Sequence, residues 1–64
     1  IMKLEAQIQM GNASFEDFPQ AELARILRHA ADKLENHWNQ GEYYMKLVDI
    51  NGNTVGKLEM TNDV

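Results

Sequence analysis

The stretch of this chain whose spacing looks most like chemistry is D-I-N-G-N-T-V-G-K-L-E-M, Asp49 to Met60. Asp49, Asn51 and Asn53 put side-chain oxygens at the first, third and fifth places of a calcium-binding loop. That loop also needs Gly at its sixth place and a bidentate Glu at its twelfth, and here those places hold Thr54 and Met60. A thioether is a poor ligand for a hard cation, and one carboxylate with two carboxamides holds calcium weakly. No metal site is assigned. His29 and His37 are eight apart on a helical stretch, so they stand about 80° from each other around the axis and two turns apart, and sharing a metal would require a second chain. Ser14 is the only serine and has no base nearby in the sequence. There is no cysteine nucleophile and no Gly-rich phosphate loop. The expectation is a non-enzymatic protein, with no catalytic residues and no cofactor.

A third group of residues suits ligand binding. Trp38, Tyr43 and Tyr44 flank a helix-to-strand connection, and Arg25, Arg28, Lys46 and Lys57 supply cations. An aromatic face for a base, with guanidinium or ammonium groups for a diphosphate, is what a nucleotide-type ligand requires. So short a chain has little room for a pocket of several hundred Å³, roughly the size such ligands need. The site is therefore expected between subunits. In the alternative reading, Trp38 and Tyr43 are core or interface residues, Tyr44 covers part of a sheet, and the arginines form a solvated helix face.

The elements that must carry these residues are legible from periodicity. Met2, Leu4, Ala6, Ile8 and Met10 alternate with Lys3, Glu5, Gln7 and Gln9, the pattern of a strand with one wet face. Gly11-Asn12 ends it. Pro19 suits a first helical turn and pushes Phe18 towards the cap position. From Pro19 to about Asn39, Leu23, Ile26, Leu27, Ala30 and Leu34 fall in one arc expected to pack on the sheet. Ala24, Ala31 and Trp38 make a second stripe, and Arg25, Arg28, His29, Asp32 and Glu35 the outer side. Glu16, Asp17 and Glu22 lie near the positive end of the helix dipole. Gly41 is expected to cap the helix, and Thr61 to Val64 to fray.

Asn51-Gly52 between two alternating runs is a strong hairpin signal, because both residues tolerate the positive φ of a type I′ turn. A two-residue loop places Val48 opposite Val55, Leu47 opposite Gly56, Met45 opposite Leu58 and Tyr43 opposite Met60. A three-residue loop would oppose Met45 to Lys57 unless a bulge repaired the register; the two-residue loop is preferred. It also sets Lys46 against Lys57, a repulsive pair that calls for an anion, either Glu5, Glu59 or an external one.

The expected fold is therefore α+β, in the order β-α-β-β: a three-stranded antiparallel-type sheet with one helix packed on one face. Residues 1–64 form a single domain, with Ile1 read as an added residue outside it. At 64 residues and without cysteine, a single core supplies only about 3 to 5 kcal/mol, and oligomerisation is the common remedy. One helix covers one face, so Tyr44, Val48, Ile50 and Val55 are expected on the bare face. Together with the stripe of Ala24, Ala31 and Trp38, they are the predicted interface of a homodimer or tetramer. The net charge of −4 and pI near 4.9 argue against a nucleic-acid partner. No apolar run reaches the roughly 20 residues of a membrane span. The chain is expected to be soluble, in a reducing compartment.

N-A-S-F-E-D-F-P-Q-A-E-L-A-R-I-L-R-H-A-A-D-K-L-E, with L-V-D-I-N-G-N-T-V-G after it, resembles a family of small uncharacterised proteins of tailed bacteriophages and prophages. Its words are F-E-D-x-P-x-x-E-L-A-R-I-L-R and D-x-N-G-N-x-V-G, matched here by Phe15 to Arg28 and Asp49 to Gly56. Phe18 departs from the polar cap expected at its position. The resemblance implies a viral origin, a place in the host cytoplasm and action by binding. Two activities of that kind are expected, in this order: sequestering a nucleotide-derived immune signal such as ADP-ribose or a cyclic nucleotide, or blocking a host defence complex as anti-CRISPR proteins do. A minor virion or morphogenesis role is a third. No catalytic residues come with the resemblance.

Overall fold

The computed structural model describes residues 1–62. It contains β1 (Met2–Ile8), a 3₁₀ turn (Ala13–Phe15), α1 (Pro19–His37), β2 (Tyr43–Val48) and β3 (Thr54–Asn62). The three strands form one antiparallel sheet in the order β1-β3-β2, with the last strand in the centre. This is the expected α+β arrangement.

Helix α1 begins as its sequence requires. Phe18 holds the N-cap in a non-helical conformation with no side-chain cap bond, and Pro19 follows at the first helical place. The Phe18 carbonyl accepts from the N–H groups of Ala21 and Glu22 at 3.1 and 3.2 Å. The helix stops at His37, short of the expected Asn39, where the Trp38 N–H closes the last turn on Leu34 O at 3.1 Å. Gly41 does not cap it. With φ of 84°, Gly41 turns the chain in the connection beyond, where its carbonyl accepts from Trp38 Nε1 at 2.9 Å.

The hairpin differs from the type I′ expectation at its tip. Only Gly52, with φ of 88°, takes a positive φ there, and Asn51 does not. Gly52 N–H donates to Asp49 O at 3.1 Å and Asp49 N–H to Asn53 O at 2.9 Å, which closes a three-residue loop of Ile50, Asn51 and Gly52. That closure alone would shift the register by one residue. A bulge absorbs the shift: Val48 pairs with Thr54 but Leu47 pairs with Gly56, so Val55 is the extra residue. Beyond the bulge the expected pairs hold, with Met45 opposite Leu58, Tyr43 opposite Met60 and Lys46 opposite Lys57. The bulge also turns Val55 inward, where it is 5% exposed. Val55 is therefore a core residue and not part of a bare outer face.

The core consists of Phe15, Ile26, Ala30, Met45, Leu47, Val55 and Leu58, with Ile8, Leu23, Leu34 and Tyr43 packed against it. Gly56 lies between the edge strands, and a Cβ there would strike the Gln7 carbonyl, so no larger residue fits. Helix α1 packs against β2 and the 3₁₀ turn, and its cover fades towards β1. No residue of β1 is buried, and only Ile8 is half-buried. Leu27 of the predicted sheet-facing arc stays 49% exposed, as does Leu4 opposite the buried Met60. The larger bare apolar strip is thus on the helix side of the sheet, along β1. Thr61 and Asn62 do not fray, since they pair with Lys3 and Met2; the rest of the expected tail, 63–64, lies outside the described residues.

Candidate functional site

Asp49 directly follows β2 and is 4% exposed. Its Oδ1 accepts from the backbone N–H groups of Asn51 at 3.0 Å and Asn53 at 2.8 Å. Its Oδ2 accepts from Asn12 Nδ2 at 2.8 Å and Asn53 Nδ2 at 3.3 Å. The Ser14 hydroxyl stands between Asn12 Oδ1, at 2.5 Å, and Asp49 Oδ2, at 3.2 Å, and donates its one proton to either. Burial pushes the Asp49 carboxyl up, but the Asn53 N–H and the Asn12, Asn53 and Ser14 side chains outweigh it and leave it below the usual carboxylate range. Both oxygens of the one carboxylate that a calcium loop would offer here thus accept from protein donors. Asp49 ties the hairpin tip to the 3₁₀ turn.

A second buried carboxylate ties the same tip to α1. Glu22 receives Arg25 Nε on Oε1 at 2.8 Å and Arg25 Nη2 on Oε2 at 3.1 Å, while Ile50 N–H donates to Oε2 at 2.8 Å. Arg25 Nη2 also reaches Val48 O at 3.2 Å. The Arg25 guanidinium holds the Glu22 carboxyl below its usual range, with the Ile50 N–H adding to the effect and burial opposing it. The same bond raises Arg25. Arg25, expected as a phosphate ligand, instead has its Nε and Nη2 engaged by one carboxylate and one carbonyl of its own chain.

These bonds frame a cleft of about 310 Å³ between the 3₁₀ turn, the start of α1 and the hairpin tip. Ala13, Asp17, Phe18, Ala21 and Ile50 line it, beside Ser14 and Glu22. Phe18 is 69% exposed and Ile50 68%. Ile50 therefore belongs to this cleft, apart from the sheet face on which it was expected with Tyr44 and Val48. Glu16 and Asp17 are exposed nearby in the chain.

The other predicted ligand residues do not converge within one chain. Tyr44, Lys46 and Lys57 share the outer sheet face, where Tyr44 pairs with Glu59 and Lys46 with Lys57. Lys57 Nζ meets Glu59 Oε1 at 3.0 Å, and that bond raises Lys57, so Glu59 is the anion the lysine pair calls for. Tyr43 faces the core, Trp38 is half-buried in the helix-to-strand connection, and Arg28 is exposed on α1. A second cleft of about 350 Å³ at the open end of the hairpin is lined by Glu42, Tyr43, Tyr44, Glu59, Met60 and Thr61; two acids and no cation suit a phosphate poorly. Of the predicted interface residues, Tyr44, Val48 and Ala31 are exposed and Ala24 is half-buried. Among the described residues no group of three or more His, Cys, Asp or Glu is placed to hold a metal, and no helix is long and apolar enough to cross a membrane.

Sequence reasoning missed the roles of Asn12, Ser14, Glu22 and Asp49. Asp two residues before Asn in D-I-N-G is a residue that bonds the backbone two residues on, and Glu22 and Arg25 stand at helical i,i+3 spacing. Both signals were present, but the remote partners were not readable. A scan against models of protein families and searches of the curated proteins and the solved structures find no match to this chain.

Proposed function

We propose that this chain is a non-enzymatic bacteriophage accessory protein that docks on a protein of a host defence complex through Phe18 and Ile50. One observation carries the reading: among the described residues, after Ile1, these are the two most exposed large apolar side chains, and they flank one cleft on a frame held by buried carboxylates. Apolar anchors on a preorganised frame lose little freedom on binding, and such anchors carry most of the energy of protein interfaces. Phe18 also forgoes a polar helix cap worth about 1 kcal/mol, a local inconsistency of the kind found at functional positions. Glu16 and Asp17 match a partner pocket ringed by Lys or Arg. The phage origin rests on the sequence resemblance. In the test, a defence component captured from host lysate is purified and its affinity measured against the wild type, Phe18→Asn and Ile50→Ser. Each substitution is expected to weaken binding about thirtyfold, the usual size of an anchor loss; unchanged affinity for both removes the reading.

Capture of a nucleotide-derived signal between subunits is the second reading. It is favoured by Lys46 and Lys57 standing opposite each other beside exposed Tyr44, with only Lys57 in an ion pair among the described residues. Thermal shift against ADP-ribose and cyclic nucleotides tests it, since a ligand at about a hundred times its Kd adds roughly 2.7 kcal/mol. No shift with any of them rejects it.

A further inference from the structure

Strand β1 is an edge strand, paired with β3 in unbroken register from Met2 to Ile8. Gln9 N–H continues that ladder to Val55 O at 2.7 Å. By the alternation of an antiparallel ladder, Lys3, Glu5 and Gln7 turn their backbone groups towards β3, while Met2, Leu4 and Ala6 turn theirs to the open edge. The same even-numbered residues place their side chains on the helix side, where α1 leaves them uncovered. This edge has no proline, no bulge and no charge on its apolar side, the devices that usually protect an edge. The other edge strand is treated differently: Arg25 reaches from α1 to the Val48 carbonyl at the end of β2.

We propose that a second copy of this chain covers the edge, its β1 adding antiparallel to β1 about a two-fold axis at Leu4. The charge pattern selects this occupant and this register. Facing residues must share a face, so the axis falls on a residue and not between two, and around the middle of Met2–Ile8 that residue is Leu4, Glu5 or Ala6. On Glu5 it would oppose Glu5 to itself, a repulsive pair. On Ala6 it would set Lys3 and Glu5 against glutamines and run past the end of the strand at Ile8. On Leu4 it sets Lys3 against Glu5 of the second copy twice, at the closely spaced non-hydrogen-bonded pairs. Leu4 then meets Leu4, and Met2 meets Ala6. The result is a six-stranded sheet with both helices on one side. The inference goes beyond the docking role of Phe18 and Ile50, which lie outside β1.

Sedimentation equilibrium of the full chain tests it by charge exchange. The wild type is expected to dimerise at about 100 µM or below, and Lys3→Glu or Glu5→Lys each to weaken the dimer about tenfold by creating two like-charge pairs. Lys3→Glu with Glu5→Lys in one chain restores the pairs and is expected to bring the dimer back to within roughly threefold of the wild type. Both side chains are exposed, and circular dichroism verifies that each variant is folded. Hydrogen exchange should show the Leu4 and Ala6 amides protected in the dimer and exchanging on dilution. A wild type monomeric at about 100 µM, a dimer indifferent to both single reversals, or a double variant no better than the singles overturns the proposal.

Discussion

The hairpin tip and β1 are opposite solutions to the same shortage of core. At the tip, two buried carboxylates gather donors from the 3₁₀ turn, α1 and the loop itself, so geometry is held by hydrogen bonds where there is little apolar mass. Along β1 there is apolar mass and no cover. Leu4 and Ala6 face the helix side beside the buried Met60 and Leu58, yet α1 lies over β2. The contrast teaches that a single helix cannot close a three-stranded sheet of this length. Polar bonding can fix a surface for recognition, whereas an apolar strip with a free backbone edge asks for more chain.

The contrast breaks first if the two halves of the sheet contribute equally. Leu47, 2% exposed, is expected to cost about 3 kcal/mol as Leu47→Ala, close to the whole stability of a domain this small. Leu4→Ala in dilute monomer is expected to cost less than about 1 kcal/mol, in keeping with its exposure. Urea titration of both variants measures the difference, and equal losses would mean that β1 is covered after all.

The next test concerns the polar tip alone. Asp49→Ala leaves its donors facing nothing and is expected to lower the melting temperature by on the order of 10 °C, with faster amide exchange at Asn51 and Asn53. The amides of β1 and β3 should keep their protection; their loss would make the tip part of the main core. Acid probes the same bonds. Asp49 and Glu22 are both depressed in the folded chain, so the stability they add is complete above the ordinary carboxylate value of about 4 and is lost as pH falls through their lower folded values. Thermal melts should therefore drop as pH is lowered from about 5 towards 2, and less steeply in Asp49→Asn.

The smallest effect sharpens the comparison from the functional side. Phe18→Asn supplies the missing cap and is expected to raise stability by about 1 kcal/mol, read as a melting temperature higher by a few degrees. A more stable protein that binds its partner less well would separate the helix from the role of Phe18. A destabilised variant would instead give Phe18 a packing role.

Much of this architecture was legible residue by residue. Alternation from Met2 to Met10, realised as a strand as far as Ile8, the helical arc after Pro19, and Asn51-Gly52 between two strands each carry their own local signal. The register from Tyr43 to Leu47 was also recoverable, because one slip would expose Met45 and Leu47. The loop length was misjudged at Asn51, where the side-chain oxygen of Asp49 stabilises a turn without a positive φ. The candidate site was less legible. Phe18 stood out as a misfit at a cap, but Arg25 read as an outer-face cation; its i,i+3 spacing to Glu22 was in the sequence, whereas the Ile50 N–H on Glu22 and the Val48 carbonyl on Arg25 became visible only when the hairpin reached the helix.

By itself, then, the order of residues determined which segments are helix and strand and, within β1 and from Tyr43 to Leu47, which side chains share a face, since both follow from a period of two or 3.6 within one segment. Only the tertiary structure decided that β3 is central, that α1 leans over β2 and leaves β1 bare, and that Val55 turns inward while Asp49 joins Asn12 across 37 positions of chain. Those outcomes depend on distances between segments, which local periodicity does not encode.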